Sequence, residues 1–235
     1  MKRRVIKTIC GAVIVGAVPA AWADTPCQWC SGADWIKNCT AARNDVISES
    51  EADVGIYMNS ACSGIPASFR MLGPVTIRRE SSHGSDTIVT EIVSMNLTGG
   101  GLTLLAGTGA GLTRASPGTI VKQAGNNLWG NSSFSVYFKV IGVFGTVWNH
   151  DPLLVAAAIT CVPPKAEYIH PQGQCIPLYN DPVTGTIVAY LGNANHITYP
   201  SGVPALPAWG GIALAALLFV AGIFVFGNRR REPAT

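Results

Sequence analysis

The segment Phe134-Ser135-Val136-Tyr137-Phe138-Lys139-Val140 alternates large apolar residues with polar or amphipathic ones. Successive side chains of a β-strand point to opposite faces, so the alternation predicts a strand with one buried and one solvated face. Segments rich in β-branched residues predict three further strands. These segments span residues 75–79, 87–95 and 184–191.

The connections between these segments are rich in Gly, Pro, Asn and Ser, which favour turns. The nearly continuous apolar run 153–162 predicts a central strand that is buried on both faces. Only residues 34–51 are compatible with a helix, with Asp34 as its N-cap. Many short strands separated by turns predict a mainly β fold, and we expect a disulfide-bonded, β-sandwich-like ectodomain over residues 24–199.

The first 23 residues have the pattern of a secretory signal peptide. Basic residues precede a short apolar run, and Ala21 and Ala23 form an A-x-A cleavage site. We therefore expect signal peptidase to leave Asp24 as the first residue of the mature chain. The alternative, a retained N-terminal anchor, is disfavoured because the apolar run is short for a bilayer span.

The C-terminal region predicts membrane insertion. Residues 209–228 are uncharged, and a helix over the first 19 of them would be about 28 Å long at roughly 1.5 Å per residue, close to the thickness of a bilayer core. A Pro-rich linker precedes them at 200–208, and a basic tail follows at 229–235. Arg229, Arg230 and Arg231 would hold that tail in the cytoplasm and act as a stop-transfer signal.

A resemblance to a known family appears at this C-terminus. Val203, Pro204, Ala205 and Leu206, followed two residues later by Trp209 and Gly210, resemble the IPTL-type C-terminal sorting domain of bacterial exosortase substrates. Val203 stands for the family's Ile and Ala205 for its Thr. The resemblance implies that an exosortase-type membrane transpeptidase cuts near the motif and transfers the body to a surface acceptor. A plain single-pass anchor without cutting is the alternative.

The mature chain contains six cysteines, which in an exported protein predict three disulfides. Cys161 and Cys175 are close together and far from the others, so we expect them to pair. We then expect the remaining four to pair among themselves. A redox C-x-x-C or a zinc site at Cys27, Cys30 and Cys39 is disfavoured, because the supporting strand and the further ligands are missing. The four cysteines that we expect to pair among themselves are Cys27, Cys30, Cys39 and Cys62.

We find no catalytic signature and expect neither a cofactor nor a metal. Acidic residues outnumber basic ones between Asp24 and Ala205, which argues against a nucleic-acid partner. The function favoured by these patterns is an exported cell-envelope protein that acts as a structural or binding module with an unknown surface ligand. Two alternatives stay open: a subunit of a surface polymer, and an envelope hydrolase using some of His83, Asp86, Glu91 and His150.

Overall fold

The computed structural model describes residues 24–142 and 145–200. The chain between Asp24 and Pro200 is almost entirely β structure, with one short α-helix and one 3₁₀ turn at Thr108–Ala110. The elements in chain order are β1 Cys30–Ser31, α1 Trp35–Asn38, β2 Arg43–Tyr57, β3 Ala67–Arg79, β4 Thr87–Gly99, β5 Leu102–Ala106, β6 Ser116–Lys122, β7 Gly130–Val136, β8 Phe138–Gly142, β9 Gly145–Asn149, β10 Leu153–Ile159, β11 Cys161–Val162, β12 Glu167–Ile169, β13 Ile176–Tyr179 and β14 Ile187–Tyr199.

Twelve of these strands form one antiparallel sheet that closes on itself. Strands β5 and β6 pair with successive parts of β4, and β12 and β13 pair with successive parts of β14. In the same way β7 and β8 pair with β10 and β9. Since β14 also pairs with β2, the sheet is a closed up-and-down barrel of eight staves in chain order. The staves are β2, β3, β4, β5 with β6, β7 with β8, β9 with β10, β12 with β13, and β14.

Four neighbouring staves are interrupted at the same height, and we call this level the waist (residues 107–115, 137, 150–152 and 170–175). Side chains replace the missing backbone hydrogen bonds there. The buried amide of Asn149 accepts from the Phe138 N–H at 2.7 Å and donates to the carbonyl of Val136 at 2.9 Å. The Ser116 hydroxyl accepts from the Tyr137 N–H at 3.0 Å. The waist therefore bends the barrel without leaving these backbone groups unpaired.

The prediction of a mainly β fold is confirmed. The described residues do not form the two packed sheets of a sandwich, because the main sheet closes into a barrel. An inward-outward alternation is common to sandwiches and barrels, so the pattern in 134–140 could not distinguish them. That alternation is itself confirmed: Phe134, Val136, Phe138 and Val140 all point into the core. The core contains buried apolar side chains from all eight staves.

Two local predictions were wrong. Residues 34–51 form only the four-residue helix α1 and then enter the long strand β2, in which Ile47 points inward and Glu49 outward. The apolar run 153–162 is not buried on both faces, because Leu154 and every second residue after it point outward along β10. Small alanines on that outer face made an ordinary one-sided strand look wholly apolar.

The N-terminal segment 24–39, which we call the cap, closes one end of the barrel. Strand β1 pairs with β11, and α1 packs over the apolar side chains at that end. The Trp35 indole N–H donates to the carbonyl of Leu128 at 3.0 Å. Trp35 and Ile36 are buried against Ile88, Ile120 and Ile159.

Three disulfides are formed, but their pairing corrects the prediction. Cys27 pairs with Cys161, Cys30 with Cys39, and Cys62 with Cys175. The expected Cys161–Cys175 bridge is absent from the described chain, and only Cys30–Cys39 falls within the group that we expected to pair internally. Barrel closure explains the result, because it brings the cap against β11 and the β2–β3 loop against the waist.

Several predictions lie outside the described residues. They are the signal peptide 1–23 with its cleavage site at Ala21 and Ala23, the linker beyond Pro200 with Val203, Pro204, Ala205, Leu206, Trp209 and Gly210, the transmembrane segment 209–228, and the tail with Arg229, Arg230 and Arg231. Within 24–142 and 145–200, none of the helices has the length and apolar character needed to cross a bilayer.

Candidate functional site

The interior of the barrel contains a cavity of about 40 Å³. Its walls are contributed by inward-facing residues of staves on all sides, and they are almost wholly apolar. No charged side chain is among them. The lining residues are Ala52, Val54, Val75, Ile77, Ile92, Met95, Leu97, Leu104, Phe134, Val136, Phe138, Leu153, Val155, Tyr168, Ala194, Asn195, His196 and Thr198.

His196 is the polar feature of this cavity. A register shift between Leu191 and Asn193 in β14 reverses which side chains point inward, so Ala194, His196 and Thr198 face the interior. His196 keeps some surface exposed as a residue, yet its Nε2 is enclosed and has no hydrogen-bond partner. Burial lowers the pKa of His196 to about 4. The imidazole is therefore neutral at pH 7, with one unsatisfied ring nitrogen.

Tyr168 lies next to His196, since β12 pairs these two residues and their ring centroids are 6.5 Å apart. Its hydroxyl donates to the Ser132 hydroxyl at 3.1 Å. Burial raises the pKa of Tyr168 to about 12, so the phenol stays protonated and can still accept a second hydrogen bond. His196, Tyr168 and Ser132 thus form a small polar group within an apolar interior.

A second cavity, an open cleft of about 690 Å³, lies on the outside of the barrel between β3, β2, β14 and the waist. Two of its polar side chains pair with residues outside its lining: Arg70 pairs with Glu51 at 2.6 Å, and the Asn195 amide donates to Glu167 at 3.2 Å. The pKa of Arg70 is raised, mainly by the hydrogen bond from its guanidinium to Glu51. The cleft is therefore an open, polar surface in which Arg70 and Asn195 are already paired.

A cluster of charged side chains lies where the cap meets the barrel. The Arg79 guanidinium donates to Asp45 at 3.0 Å, and both side chains are almost fully buried. Burial raises the pKa of Asp45 against the opposing effect of Arg79. Arg79 also donates to the carbonyl of Ala41 at 2.8 Å, while Arg43 pairs with Asp24 at 3.3 Å. This cluster is fully engaged in structure, because each carboxylate has an arginine partner.

The residues of the hydrolase hypothesis do not converge. His83 lies exposed in the β3–β4 turn with φ at 49°, and Asp86 is 4.0 Å from Lys122. Glu91 lies on β4 and binds Arg78.

His150 lies at the waist on a different stave. Its ring stacks on Tyr179 with centroids 3.7 Å apart, and its Nε2 is 2.8 Å from the carbonyl oxygen of Asp181. His83 and Asp86 thus share the β3–β4 turn, whereas Glu91 and His150 have other surroundings, and none of the four lines the interior cavity or the open cleft.

All six cysteines of the described residues are in disulfides, so neither the redox nor the zinc interpretation of Cys27, Cys30 and Cys39 has a free thiolate to use. In the part of the chain that the structure describes, no group of three or more His, Cys, Asp or Glu side chains is arranged to hold a metal ion. Glu49 and Asp53 lie on the outer face of β2, where Glu51 binds Arg70.

Sequence reasoning missed His196 and Tyr168. The segment around His196 contains Gly192, Asn193 and Asn195, which made it resemble a loop. The signal that could have found it is the alternation of Ala194, His196 and Thr198 immediately after a glycine, which is typical of a strand resuming after a bulge. Tyr168 lies in a three-residue strand, too short to be recognised from its pattern.

No protein-family model matches the chain, and no curated protein matches it. A solved structure does: DynF from the dynemicin biosynthesis pathway of Micromonospora chersina superimposes with a TM-score of 0.60 and 17% sequence identity. The match covers 80% of this chain and 92% of DynF. At this identity the similarity establishes a shared fold.

Proposed function

We propose that this chain is an exported cell-envelope protein whose barrel acts outside the cytoplasm as a structural or binding module, anchored or sorted through its C-terminal signal. The observation that carries the proposal is that all six cysteines after the signal segment are paired in three disulfides. Such a set forms and persists in an oxidising compartment, so the disulfides indicate an extracellular or otherwise oxidising environment.

The first residue expected after signal cleavage supports the proposal. Asp24 is buried, and its backbone N–H donates to the carbonyl of Val46 at 2.9 Å. Its carboxylate accepts from the Val46 N–H at 2.7 Å and binds Arg43. Cleavage before Asp24 would keep these bonds, because an α-ammonium group at the same nitrogen can still donate to Val46.

A binding or structural role is favoured over the hydrolase alternative, because His150 stacks on Tyr179 at the waist, Glu91 binds Arg78, and none of His83, Asp86, Glu91 and His150 lines the interior cavity or the open cleft. The polymer alternative depended on an exposed edge strand that could accept a neighbour. The closed sheet offers no such edge among its eight described staves, which argues against growth by strand addition.

The test is the intact mass of the protein recovered from envelope fractions, with and without reduction. Export and sorting predict a chain that starts at Asp24, ends between Val203 and Leu206 and gains about six mass units on reduction of its three disulfides. Additional mass on the C-terminal fragment would identify the acceptor. A chain that runs from Asp24 to Thr235 would replace sorting by plain anchoring, and a chain that still starts at Met1 would contradict export with cleavage.

A matched pair of variants separates sorting from anchoring. Pro204→Ala combined with Trp209→Ala changes two residues of the sorting motif, and we expect this chain to stay membrane-bound and unprocessed. Pro207→Ala changes a proline at a variable position of the same motif, so this control should be processed normally. Normal processing of the double variant would refute the sorting assignment.

A further inference from the structure

The barrel cavity contains a buried polar atom that the fold does not satisfy. Nε2 of His196 is enclosed and has no partner, and leaving a buried polar group unpaired destabilises the folded state. A core position that needed only volume would be filled more favourably by an apolar side chain of similar size. The unsatisfied nitrogen beside an empty volume therefore points to a guest molecule that supplies the missing hydrogen bond.

The walls define the chemistry of that guest. The lining residues carry no charge that could pair with an ion, so an ionised carboxylate or ammonium would lose its hydration without compensation. The hydroxyl of Thr198 already donates to the carbonyl of Pro164 at 2.8 Å, and that of Tyr168 donates to Ser132. Water needs two to four polar partners, whereas the Tyr168 and Thr198 hydroxyls among the lining residues already donate to other groups and the His196 nitrogen is the lining atom left unpaired.

We propose that the cavity is a binding site for a small, uncharged, mostly apolar molecule whose single polar group, a hydroxyl or a carbonyl, forms a hydrogen bond with Nε2 of His196. The cavity volume of about 40 Å³ restricts the guest to a few heavy atoms. Met95 lines the cavity, and its unbranched side chain can move to admit a larger one. This assignment deepens the binding half of the proposed function and rests on it, but not on sorting.

The experiment uses the protein in the processed form in which envelopes yield it, labelled with ¹⁵N-histidine. The probes are 1-butanol, butyrate at pH 7 and xenon, which separate a neutral polar guest, a charged one and a purely apolar one. We expect 1-butanol to shift the His196 ring resonance saturably. We expect butyrate to bind at least about 10-fold more weakly, because its charge has no partner.

Two variants separate the hydrogen bond from the cavity. His196→Leu should weaken 1-butanol binding by about 3- to 10-fold, the contribution of one hydrogen bond, and should leave xenon binding in place. Ala194→Leu adds bulk to the cavity wall while keeping His196, so it should abolish binding of both probes. His83→Asn, at an exposed histidine with positive φ, is the matched control and should change neither.

Each result bears on the inference. Absence of saturable binding by both 1-butanol and xenon would overturn the site. Unchanged 1-butanol affinity in His196→Leu would overturn the assigned hydrogen bond, and butyrate binding as tightly as 1-butanol would overturn the uncharged class. The mass measurements that test export and sorting are independent of these binding measurements. The cavity assignment can therefore fail while export and sorting hold, and the reverse is also possible.

Discussion

The buried imidazole of His196 makes stability depend on pH in a window that can be worked out. Burial is the cause of its lowered pKa, and the residues opposite it on the neighbouring strands are Ala52 and Tyr168. The folded protein keeps His196 neutral down to about pH 4. The unfolded chain binds the same proton near pH 6.5. Above about pH 6.5 the imidazole is therefore neutral in both states and does not lower the unfolding free energy. As the pH falls from 6.5 to 4, the unfolding free energy decreases, because only the unfolded chain binds the proton.

The magnitude follows from the two pKa values. One pKa unit corresponds to about 1.36 kcal/mol, so a shift from 6.5 to about 4 is worth roughly 3 kcal/mol of unfolding free energy. His196→Leu removes the titrating group and should remove this part of the pH dependence. Between pH 7 and pH 4, the unfolding free energy of the wild type should therefore fall by roughly 3 kcal/mol more than that of His196→Leu.

The assay is urea unfolding at 25 °C under non-reducing conditions from pH 7.5 to pH 4.0. Carboxylates that titrate in both proteins cancel in the difference between wild type and His196→Leu, so the difference isolates the imidazole. His83→Asn, at an exposed site, should follow the wild-type curve. A wild-type minus His196→Leu difference that stays constant across this range would refute the buried, neutral state of His196.

Three further substitutions test the fold. Gly73→Ala should destabilise the barrel by at least about 2 kcal/mol in thermal or urea unfolding, because its Cβ would lie 2.0 Å from the Asn96 carbonyl oxygen; wild-type stability would refute the close approach of β3 and β4. Replacing both cysteines of Cys27–Cys161 by serine should lower the unfolding free energy by about 5 kcal/mol, against about 3 kcal/mol for Cys30–Cys39. The difference is expected because the first bridge closes a longer loop, with sequence separations of 134 and 9. Equal losses would contradict the chain-entropy account. Arg79→Leu should cost about 3–5 kcal/mol by leaving Asp45 buried without its main partner, and adding Asp45→Asn should recover part of the loss; no recovery would argue against that pairing as the cause.

The strands that the sequence predicts are those whose alternation is uninterrupted. In residues 134–140, every second side chain points inward through both β7 and β8. The predicted segments 75–79 and 87–95 lie within β3 and β4. Strand β2 was missed because it is irregular: its pairing with β3 shifts between Ile47 and Ser50, and its outer face carries Glu49 and Asp53. A charged, interrupted pattern of this kind resembles a solvated helix more than a strand.

Barrel closure is the step that local sequence could not reveal. Closure depends on the pairing of β14 with β2, which are more than one hundred residues apart in the chain. The same closure decides the disulfides, so proximity in sequence favoured Cys161–Cys175 while proximity in space selected Cys27–Cys161 and Cys62–Cys175. The candidate site was missed for a related reason, since a bulge in β14 turns His196 inward.

The order of the disulfides along the chain has a consequence for proteolysis. The Cys27–Cys161 and Cys62–Cys175 bridges interleave, and Cys30–Cys39 lies within the first of them. A single backbone cut anywhere between Cys27 and Cys175 therefore leaves both fragments covalently joined, and a cut between Cys62 and Cys161 leaves them joined twice. One protease cleavage between Cys27 and Cys175 therefore nicks this part of the chain without releasing a piece of it, and separating its fragments requires either reduction or further cuts.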